Sequence, residues 1–127
     1  MNRREENIVY AGSKRSIEYA ILANGKMPAR EFFYGLSERD QNGLIVLFKL
    51  FGDFGEIRNR ERFKRIEGTD FFEFKRFQTR FICFMQPGGK VILTHGFTKK
   101  RDKISPEEIR KAYRIKEEHL SREGEEK

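Results

Sequence analysis

Apolar and polar side chains alternate along three segments in the second half of the chain, a pattern typical of half-buried β-strands. The segments are F-F-E-F-K-R-F at residues 71–77, R-F-I-C-F-M-Q at 80–86 and V-I-L-T-H-G-F-T at 91–98. Gln78-Thr79 is predicted to turn the chain between the first two segments, and Pro87-Gly88-Gly89 between the last two. The pattern therefore predicts three consecutive antiparallel strands.

The first half of the chain predicts a strand followed by two helices. The strand covers residues 16–23. Pro28 suits the first position of a short helix, and Ser37 suits the cap of a longer helix that stops at Gly52 or Gly55. The apolar residues of the longer helix are spaced for one buried face, which holds Leu44, Ile45, Leu47, Phe48 and Phe51.

A final helix is predicted to begin at Ser105-Pro106 and to run to about Leu120, because Glu108 completes the capping signature. Its buried side is expected to hold Ile109, Ala112, Tyr113 and Ile115.

The elements follow one another in the order β-α-α-β-β-β-α, which predicts an α+β domain. We expect an antiparallel twisted sheet with the helices packed on one face, namely an N-terminal helical hairpin and a C-terminal helix. Residues 1–15 are expected to form a flexible lead-in, residues 16–120 a single domain and residues 121–127 a frayed tail.

Alternation with a period of two places the charged side chains of the three strands on one face. Through the predicted turns, Lys75 lies opposite Ile82 and Arg80 lies opposite Phe97. This face holds Glu73, Lys75, Arg80, His95 and Phe97. The opposite face is the expected core and holds Phe72, Phe74, Phe81, Cys83, Met85, Ile92 and Thr94. Arg76 shares the core face but lies near the hairpin tip, where it can reach solvent.

The positive charge of the chain is concentrated in the segment that carries this polar face. The sequence has 127 residues, the length of one domain, and a net charge of +7. Residues 49–103 hold 14 basic and 7 acidic side chains, whereas residues 1–48 and 104–127 are nearly balanced. A basic patch favours a polyanionic partner such as nucleic acid, and a solvated face that keeps the protein soluble is the alternative.

The sequence lacks the signals of several other protein classes. No stretch approaches the roughly 18 apolar residues of a membrane helix, and the N-terminal M-N-R-R-E-E-N is unlike a signal peptide. Cys83 is the sole cysteine, which we expect to be buried and inert, so a reducing cytoplasm is predicted. No phosphate-binding glycine loop, carboxylate pair or metal-ligand spacing stands out, so neither a cofactor nor a metal is expected.

Each polar residue of the charged face also has a purely structural interpretation. Glu73 and Lys75 could pair with each other, and a histidine in a strand, such as His95, is more often packed than catalytic. Phe97 beside Arg80 could stack on a base or form a cation–π pair. Residue types alone leave these alternatives open.

Four segments resemble the phage-derived branch of RelE/HigB-type toxins. They are F-K-R-I-E-G-T-D-F-F-E-F-K, R-F-I-C-F, V-I-L-T-H-G-F-T-K-K and S-P-E-E-I-R-K-A-Y-R. The most specific pattern is H-G-F-x-K-K at residues 95–100, followed by S/T-P-x-E-I at 105–109. The match is strong over residues 62–120 and weaker over 16–57.

The resemblance implies a compact RelE/ParE-like fold and the toxin component of a toxin–antitoxin module. The partner would be a cognate antitoxin, often a helix-turn-helix protein, with an acidic neutralising segment. RelE-like members are ribosome-dependent mRNA endoribonucleases that use the 2′-hydroxyl of the RNA as nucleophile. This chemistry needs a proton acceptor, cations for the phosphate and a proton donor, and it needs no metal.

The resemblance also assigns candidate residues, with Lys75, Arg80, His95 and Lys99 as the catalytic group. Arg80 and Lys99 would stabilise the phosphate, and Lys75 or His95 would accept the proton while the other residue donates one. The RNA-binding side chains are expected to be Lys64, Arg65, Arg76, Phe97, Lys100, Arg101 and Lys103.

Two other functions stay open at this point. A ParE-like toxin would share the fold but inhibit gyrase by binding it, without RNA chemistry. A relative that has lost catalysis would bind only RNA or antitoxin. Cleaved mRNA would favour the nuclease, DNA breaks with intact mRNA would favour the gyrase inhibitor, and harmless expression would favour the non-catalytic relative.

Overall fold

A computed structural model describes residues 6–125, which form one six-stranded sheet and three helices. The strands are β1 (Ile8–Ala11), β2 (Ser16–Tyr19), β3 (Phe63–Arg65), β4 (Phe72–Arg76), β5 (Thr79–Gln86) and β6 (Lys90–Thr98). The helices are α1 (Pro28–Tyr34), α2 (Glu38–Phe54) and α3 (Pro106–Glu125). The predicted α+β class is confirmed. None of these helices has both the length and the apolar character needed to cross a membrane.

The sheet is mixed rather than wholly antiparallel, and it contains two short strands, β1 and β3, that the sequence pattern did not reveal. The strand order is β1-β2-β6-β5-β4-β3. β2 runs parallel to β6, whereas the other neighbouring pairs are antiparallel. The helical hairpin and three strands separate β2 from β6 in the chain, which gives the connection enough length for parallel pairing.

Helices α1 and α2 cover one face of the sheet, as predicted. The side chain of Ser37 accepts a hydrogen bond from the backbone N–H of Asp40 at 3.1 Å, which caps the start of α2. The apolar face of α2 then packs on the sheet. The ring of Phe48 meets those of Phe74 and Phe81 edge to face, at centroid distances of 5.1 and 5.9 Å.

Helix α3 covers the opposite face, which corrects the expectation that all helices share one face. The second core that it closes contains Ala20, Ile66, Phe71, Ile82, Phe84, Ile92, Ala112 and Ile115. Contrary to the prediction that Tyr113 is buried, its side chain is 45% exposed, and its ring meets that of Phe71 edge to face at a centroid distance of 4.7 Å. Because α3 extends to Glu125, most of the predicted C-terminal tail is helical.

The β4–β5 hairpin turns one residue earlier than predicted. Lys75 therefore lies opposite Arg80. This register pairs Phe74 with Phe81, both without exposed surface, whereas the predicted register would pair Phe81 with Arg76. Each residue of β4 therefore lies opposite a β5 residue two positions before the predicted one. Because side chains alternate with a period of two, each residue stays on the predicted face of the sheet.

A β-bulge in β6 changes which of its side chains face the helical hairpin. The pairing slips by one residue after Ile82 and His95, and Thr94 is the extra residue. The Thr94 hydroxyl donates a hydrogen bond to the Ile82 carbonyl oxygen at 3.1 Å. Beyond the bulge, Leu93 packs under the helical hairpin and Ile92 packs under α3. Strict alternation predicts Ile92 under the helical hairpin instead.

Part of the predicted flexible lead-in forms the edge strand β1 and the loop that follows it. The Tyr10 hydroxyl donates to the Asp53 carboxylate of α2 at 2.8 Å, and the Arg15 N–H donates to the Gly52 carbonyl oxygen at 2.8 Å. Gly12 approaches Gly52 so closely that a Cβ atom on Gly12 would overlap the Gly52 backbone. Residues 1–5 of the lead-in and 126–127 of the tail lie outside the described residues.

We expect Gly12→Ala to lower the free energy of unfolding by about 1–3 kcal/mol, because the added methyl group would force two backbone segments apart. Gly124→Ala is the matched control, since nothing lies within 4 Å of its added methyl group and alanine favours a helix. Chemical denaturation measures both changes. A Gly12→Ala protein as stable as the parent would contradict the close contact.

Candidate nucleic-acid interface

Neighbouring strands bring predicted site residues together on the α3 face of the sheet. Lys75 of β4 lies directly opposite Arg80 of β5, and Arg80 lies opposite Phe97 of β6. In the adjacent row, Lys64 of β3 lies opposite Glu73 of β4. Because paired residues point to the same side of a sheet, these five side chains share one face. We call the three cations among them, Lys64, Lys75 and Arg80, the cationic row.

Arg80 is buried, with 7% of its surface exposed, and its charge is balanced by Glu73, which is 2% exposed. Arg80 Nε lies 3.2 Å from Glu73 Oε1, but the angle is not that of a hydrogen bond, and neither atom has a hydrogen-bond partner among the described residues. Arg80 Nη1 donates to the carbonyl oxygens of Phe77 and Thr79 at 2.6 and 3.0 Å. Nη2 makes no such bond within the described part of the chain, so it is the nitrogen that can donate to a phosphate.

Lys75 is half-buried, and its environment disfavours the charged ammonium. Burial is the main cause that lowers its pKa. The cations Lys64, Arg80 and Lys99 lower that pKa further, whereas Glu73 acts in the opposite direction. A lowered pKa increases the fraction of neutral amine, which is the form that can accept a proton.

His95 is 1% exposed, and its two ring nitrogens face Glu108 and Thr94. Burial lowers the pKa of His95 to about 4, so the ring is neutral at neutral pH, although Glu108 opposes the shift. A carboxylate can only accept, so the single ring proton is assigned to Nε2, which donates to Glu108 Oε1 at 3.0 Å. Nδ1 lies 3.1 Å from the Thr94 hydroxyl. His95 therefore anchors Glu108 rather than presenting a nitrogen to the cationic row.

The loop between β6 and α3, which we call the basic loop, carries Lys99, Lys100, Arg101 and Lys103 and adjoins a pocket of about 180 Å³. The loop is tied to the β4–β5 turn because the Lys99 N–H donates to the Gln78 carbonyl oxygen at 2.7 Å. Ser105 and Glu108, at the start of α3, contribute to the wall of the pocket. The predicted site residues that line it are Phe97, Lys99, Lys100, Arg101 and Lys103.

Two of the predicted RNA-binding residues lie apart from this group. Arg76 is on the helical-hairpin face, where its Nε lies 3.5 Å from Asp40 Oδ1 and its guanidinium lies over the Phe77 ring. Arg65 is on edge strand β3, and its Nη2 lies 3.7 Å from Asp70 Oδ1. The face alternation of β3 and β4 separates both arginines from the cationic row.

A larger cavity, of about 590 Å³, lies near the C-terminal end of α3 and contains none of the predicted site residues. His119, in its wall, is 3% exposed, and its Nδ1 accepts from the Ile21 N–H at 3.0 Å. Burial lowers the pKa of His119. Its position ties α3 to the segment after β2, which is a structural role.

The sequence did not single out the two acidic residues that hold the site together. The sequence pattern indicates Glu73 only as a partner of Lys75, whereas the structure pairs it with Arg80. For Glu108, the sequence pattern indicates only a place in a helix cap. No local signal could have revealed its bond to His95, because 13 residues separate the two and the contact needs the packing of α3 on β6.

Neither a metal centre nor a reactive thiol is apparent in residues 6–125. No group of three or more His, Cys, Asp or Glu side chains in this part of the chain could hold a metal ion. Cys83 is fully buried, as predicted, and burial raises the pKa of its thiol.

We expect Glu73→Ala to lower the free energy of unfolding by about 3–5 kcal/mol, because it leaves the Arg80 charge buried without a counter-ion. Asp70→Ala is the control, since it removes an exposed partner of Arg65 and should change stability by less than about 1 kcal/mol. Urea denaturation compares the two variants. Similar effects from both would show that the Glu73–Arg80 pair is not held in a buried site.

We expect acid to destabilise the fold through His95. Its folded pKa of about 4 lies below the ordinary histidine value of 6.5, so the unfolded chain binds the proton first as the pH falls. This contribution to stability is complete above pH 6.5 and is lost between pH 6.5 and about 4. His119, whose pKa is also lowered, acts in the same direction.

Unfolding free energies measured across this pH range should therefore fall less steeply for His95→Gln than for the parent, whatever the stability of the variant at pH 7. His119→Gln provides the comparison with a second buried histidine. An unchanged slope in His95→Gln would contradict the lowered pKa of His95.

Comparison with known proteins adds a family match to this geometry. Residues 31–117 match the family model described as Phage derived protein Gp49-like (DUF891). The matched segment covers about two thirds of the chain and includes the cationic row, the basic loop and Glu108. No curated protein matches the chain.

Proposed function

The chain belongs to the Gp49-like family of phage-derived proteins, a RelE-like family associated with toxin–antitoxin systems, and from this membership we propose that it is a toxin that cleaves mRNA. In this proposal the protein is a metal-independent endoribonuclease that acts on translated mRNA at the ribosome, in the cytoplasm. A cognate antitoxin neutralises it.

The observation that carries the proposal is the direct pairing of Lys75 with Arg80. A lysine whose pKa is lowered lies beside an arginine that stays charged, and Lys64 and Lys99 add to the local positive potential. RNA cleavage by its own 2′-hydroxyl needs both kinds of group, a proton acceptor and cations that stabilise the additional charge on phosphorus.

The proposed reaction breaks the bond between phosphorus and the 5′-oxygen. Neutral Lys75 accepts the proton of the 2′-hydroxyl, whose oxygen attacks phosphorus and forms a 2′,3′-cyclic phosphate. Arg80 Nη2 and Lys99 stabilise the pentacovalent phosphate. The departing 5′-oxygen takes a proton from the Lys75 ammonium or from water, so protons and charge balance.

The structure favours Lys75 over His95 as the proton acceptor. Lys75 is half-buried, whereas His95 is 1% exposed and its two ring nitrogens lie near Thr94 and Glu108. We therefore assign His95 the role of a positioning residue, which fixes the start of α3 and the basic loop.

The charge distribution also supports an antitoxin with an acidic neutralising segment. The excess of basic residues between residues 49 and 103 includes the cationic row and the basic loop. An acidic segment that covers these side chains would neutralise the charge and block access to RNA at once.

We expect Lys75→Gln to reduce mRNA cleavage by about 10²- to 10⁴-fold, because it removes the proton acceptor. Lys99→Gln should also reduce cleavage, whereas Lys49→Gln, at an exposed position of α2 on the opposite side of the sheet, should not. Cleavage of mRNA on translating ribosomes and growth after induced expression measure the effect. Arg80→Ala is a poorer test because it leaves Glu73 buried without its partner.

The same experiments distinguish the other functions. Intact mRNA together with DNA breaks after induction would indicate a gyrase inhibitor instead of a nuclease. Harmless expression of the folded protein would indicate a non-catalytic relative. Cleavage by Lys75→Gln at the parent rate would refute the assignment of Lys75 while leaving a nuclease in place.

A further inference from the structure

The pocket beside the basic loop combines three kinds of surface that a nucleotide requires. Its rim carries the cations Lys99, Lys100, Arg101 and Lys103. Its lining also includes the ring of Phe97 and the carboxylate of Glu108. A cationic rim suits phosphates, a flat ring suits a base, and a carboxylate suits a hydrogen-bond donor at the edge of that base.

Phe97 is held in place as a stacking platform. Its ring lies almost parallel to the imidazole of His95, with centroids 5.6 Å apart and an interplanar angle of 28°. His95 is itself buried and fixed by its hydrogen bond to Glu108, so it holds the Phe97 ring from one side. Phe97 is only half-buried and borders the pocket, which leaves apolar ring surface for a base.

Glu108 is held equally firmly, and one of its oxygens is available. Oε1 accepts from His95 Nε2 at 3.0 Å, and the Ser105 hydroxyl accepts from the Glu108 backbone N–H at 3.3 Å. Oε2 has no hydrogen bond within residues 6–125, and 28% of the side chain is exposed. A carboxylate accepts only, so a ligand group at Oε2 must be a donor.

We propose that this pocket binds one nucleotide of the RNA through a base with an exocyclic amino group, which stacks on Phe97 and donates a hydrogen bond to Glu108. The cationic rim holds the flanking phosphates. The inference rests on the proposed RNA-cleaving function and adds a base preference to it, namely cytosine over uracil. These two bases are similar in size, but cytosine has an amino donor where uracil has a carbonyl acceptor. The N3–H of uracil is also a donor, but it lies between two carbonyl oxygens that the carboxylate would repel.

A nucleotide fits this pocket better than an acidic peptide does. The carboxylates of such a peptide would gain from the cationic rim but would be repelled by Glu108. They would also gain little from the face of Phe97. A nucleotide uses all three surfaces, because its phosphates, base plane and amino group have different chemistry.

The test compares binding of fluorescent hexadeoxycytidine and hexadeoxyuridine to the full-length protein by fluorescence anisotropy. These strands lack the 2′-hydroxyl, so they cannot be cleaved by the proposed reaction. One added hydrogen bond predicts about 3- to 10-fold tighter binding of the cytidine strand. Equal affinities would overturn the proposal, and this comparison needs no variant.

Two pairs of variants locate the preference. Glu108→Gln places an amide at the base edge and should abolish the preference for cytidine, whereas Glu107→Gln, at the neighbouring exposed position, should keep it. Phe97→Leu should weaken binding of both strands about tenfold or more through lost stacking. Phe77→Leu is its control, because Phe77 is 72% exposed and lies outside the pocket. Thermal melting followed by circular dichroism verifies folding.

Equal effects from Glu108→Gln and Glu107→Gln would overturn the role of Glu108. Two results together would replace the nucleotide by an acidic peptide as the ligand of the pocket. The parent protein would show no base preference, and hexaglutamate would displace the fluorescent strand equally well from the parent and from Phe97→Leu. A cytidine preference in a protein that leaves mRNA intact would refute the proposed function but uphold the pocket. Cleavage of mRNA by a protein that binds both strands equally would uphold the proposed function but refute the proposed pocket.

Discussion

Burial of the central strands β5 and β6 on both faces is the constraint on which the rest of the structure depends. Phe81 faces the helical hairpin, whereas Ile82 and Phe84 face α3. Removing each such side chain from water contributes about 1.5–3 kcal/mol, so neither face can be left open without a large loss. The helical hairpin and α3 must therefore lie on opposite sides of the sheet. The polar site can form only at the edge of the area that α3 covers, beside the first turn of this helix.

This arrangement makes the charged residues of the site depend on acidic partners. Arg80 precedes five consecutive apolar residues of β5 and is tolerated there because Glu73 balances its charge. His95 is similarly held by Glu108, which joins the start of α3 to β6. The buried members of the site thus form a rigid frame, and the accessible members, Lys75 and Lys99, lie around it.

In the proposed function, this frame gives a small basic domain a defined site for nucleic acid instead of a diffuse positive surface. Cross-strand pairing fixes the distance between Lys75 and Arg80, and the His95–Glu108 bond fixes the loop that carries Lys99. Positioning of this kind is what distinguishes catalysis from simple electrostatic attraction. It also lets the same residue, Glu108, support the frame and line the adjoining pocket.

The sequence by itself determined the elements with clear periodicity and caps, together with the face that carries Lys75, Arg80 and Phe97. Those features depend on residues close together in the chain, so local patterns suffice to predict them. Strands β1 and β3 are too short to show alternation, and the bulge at Thr94 has no local signal. Only the tertiary structure decided the covering of both faces, the burial of His95 and the roles of Glu73 and Glu108. The covering of both faces and the roles of His95 and Glu108 depend on contacts between strands and helices far apart in sequence. Glu73 is only seven residues from Arg80, but its role depends on how deeply packing buries that pair and on the cost of burying charge.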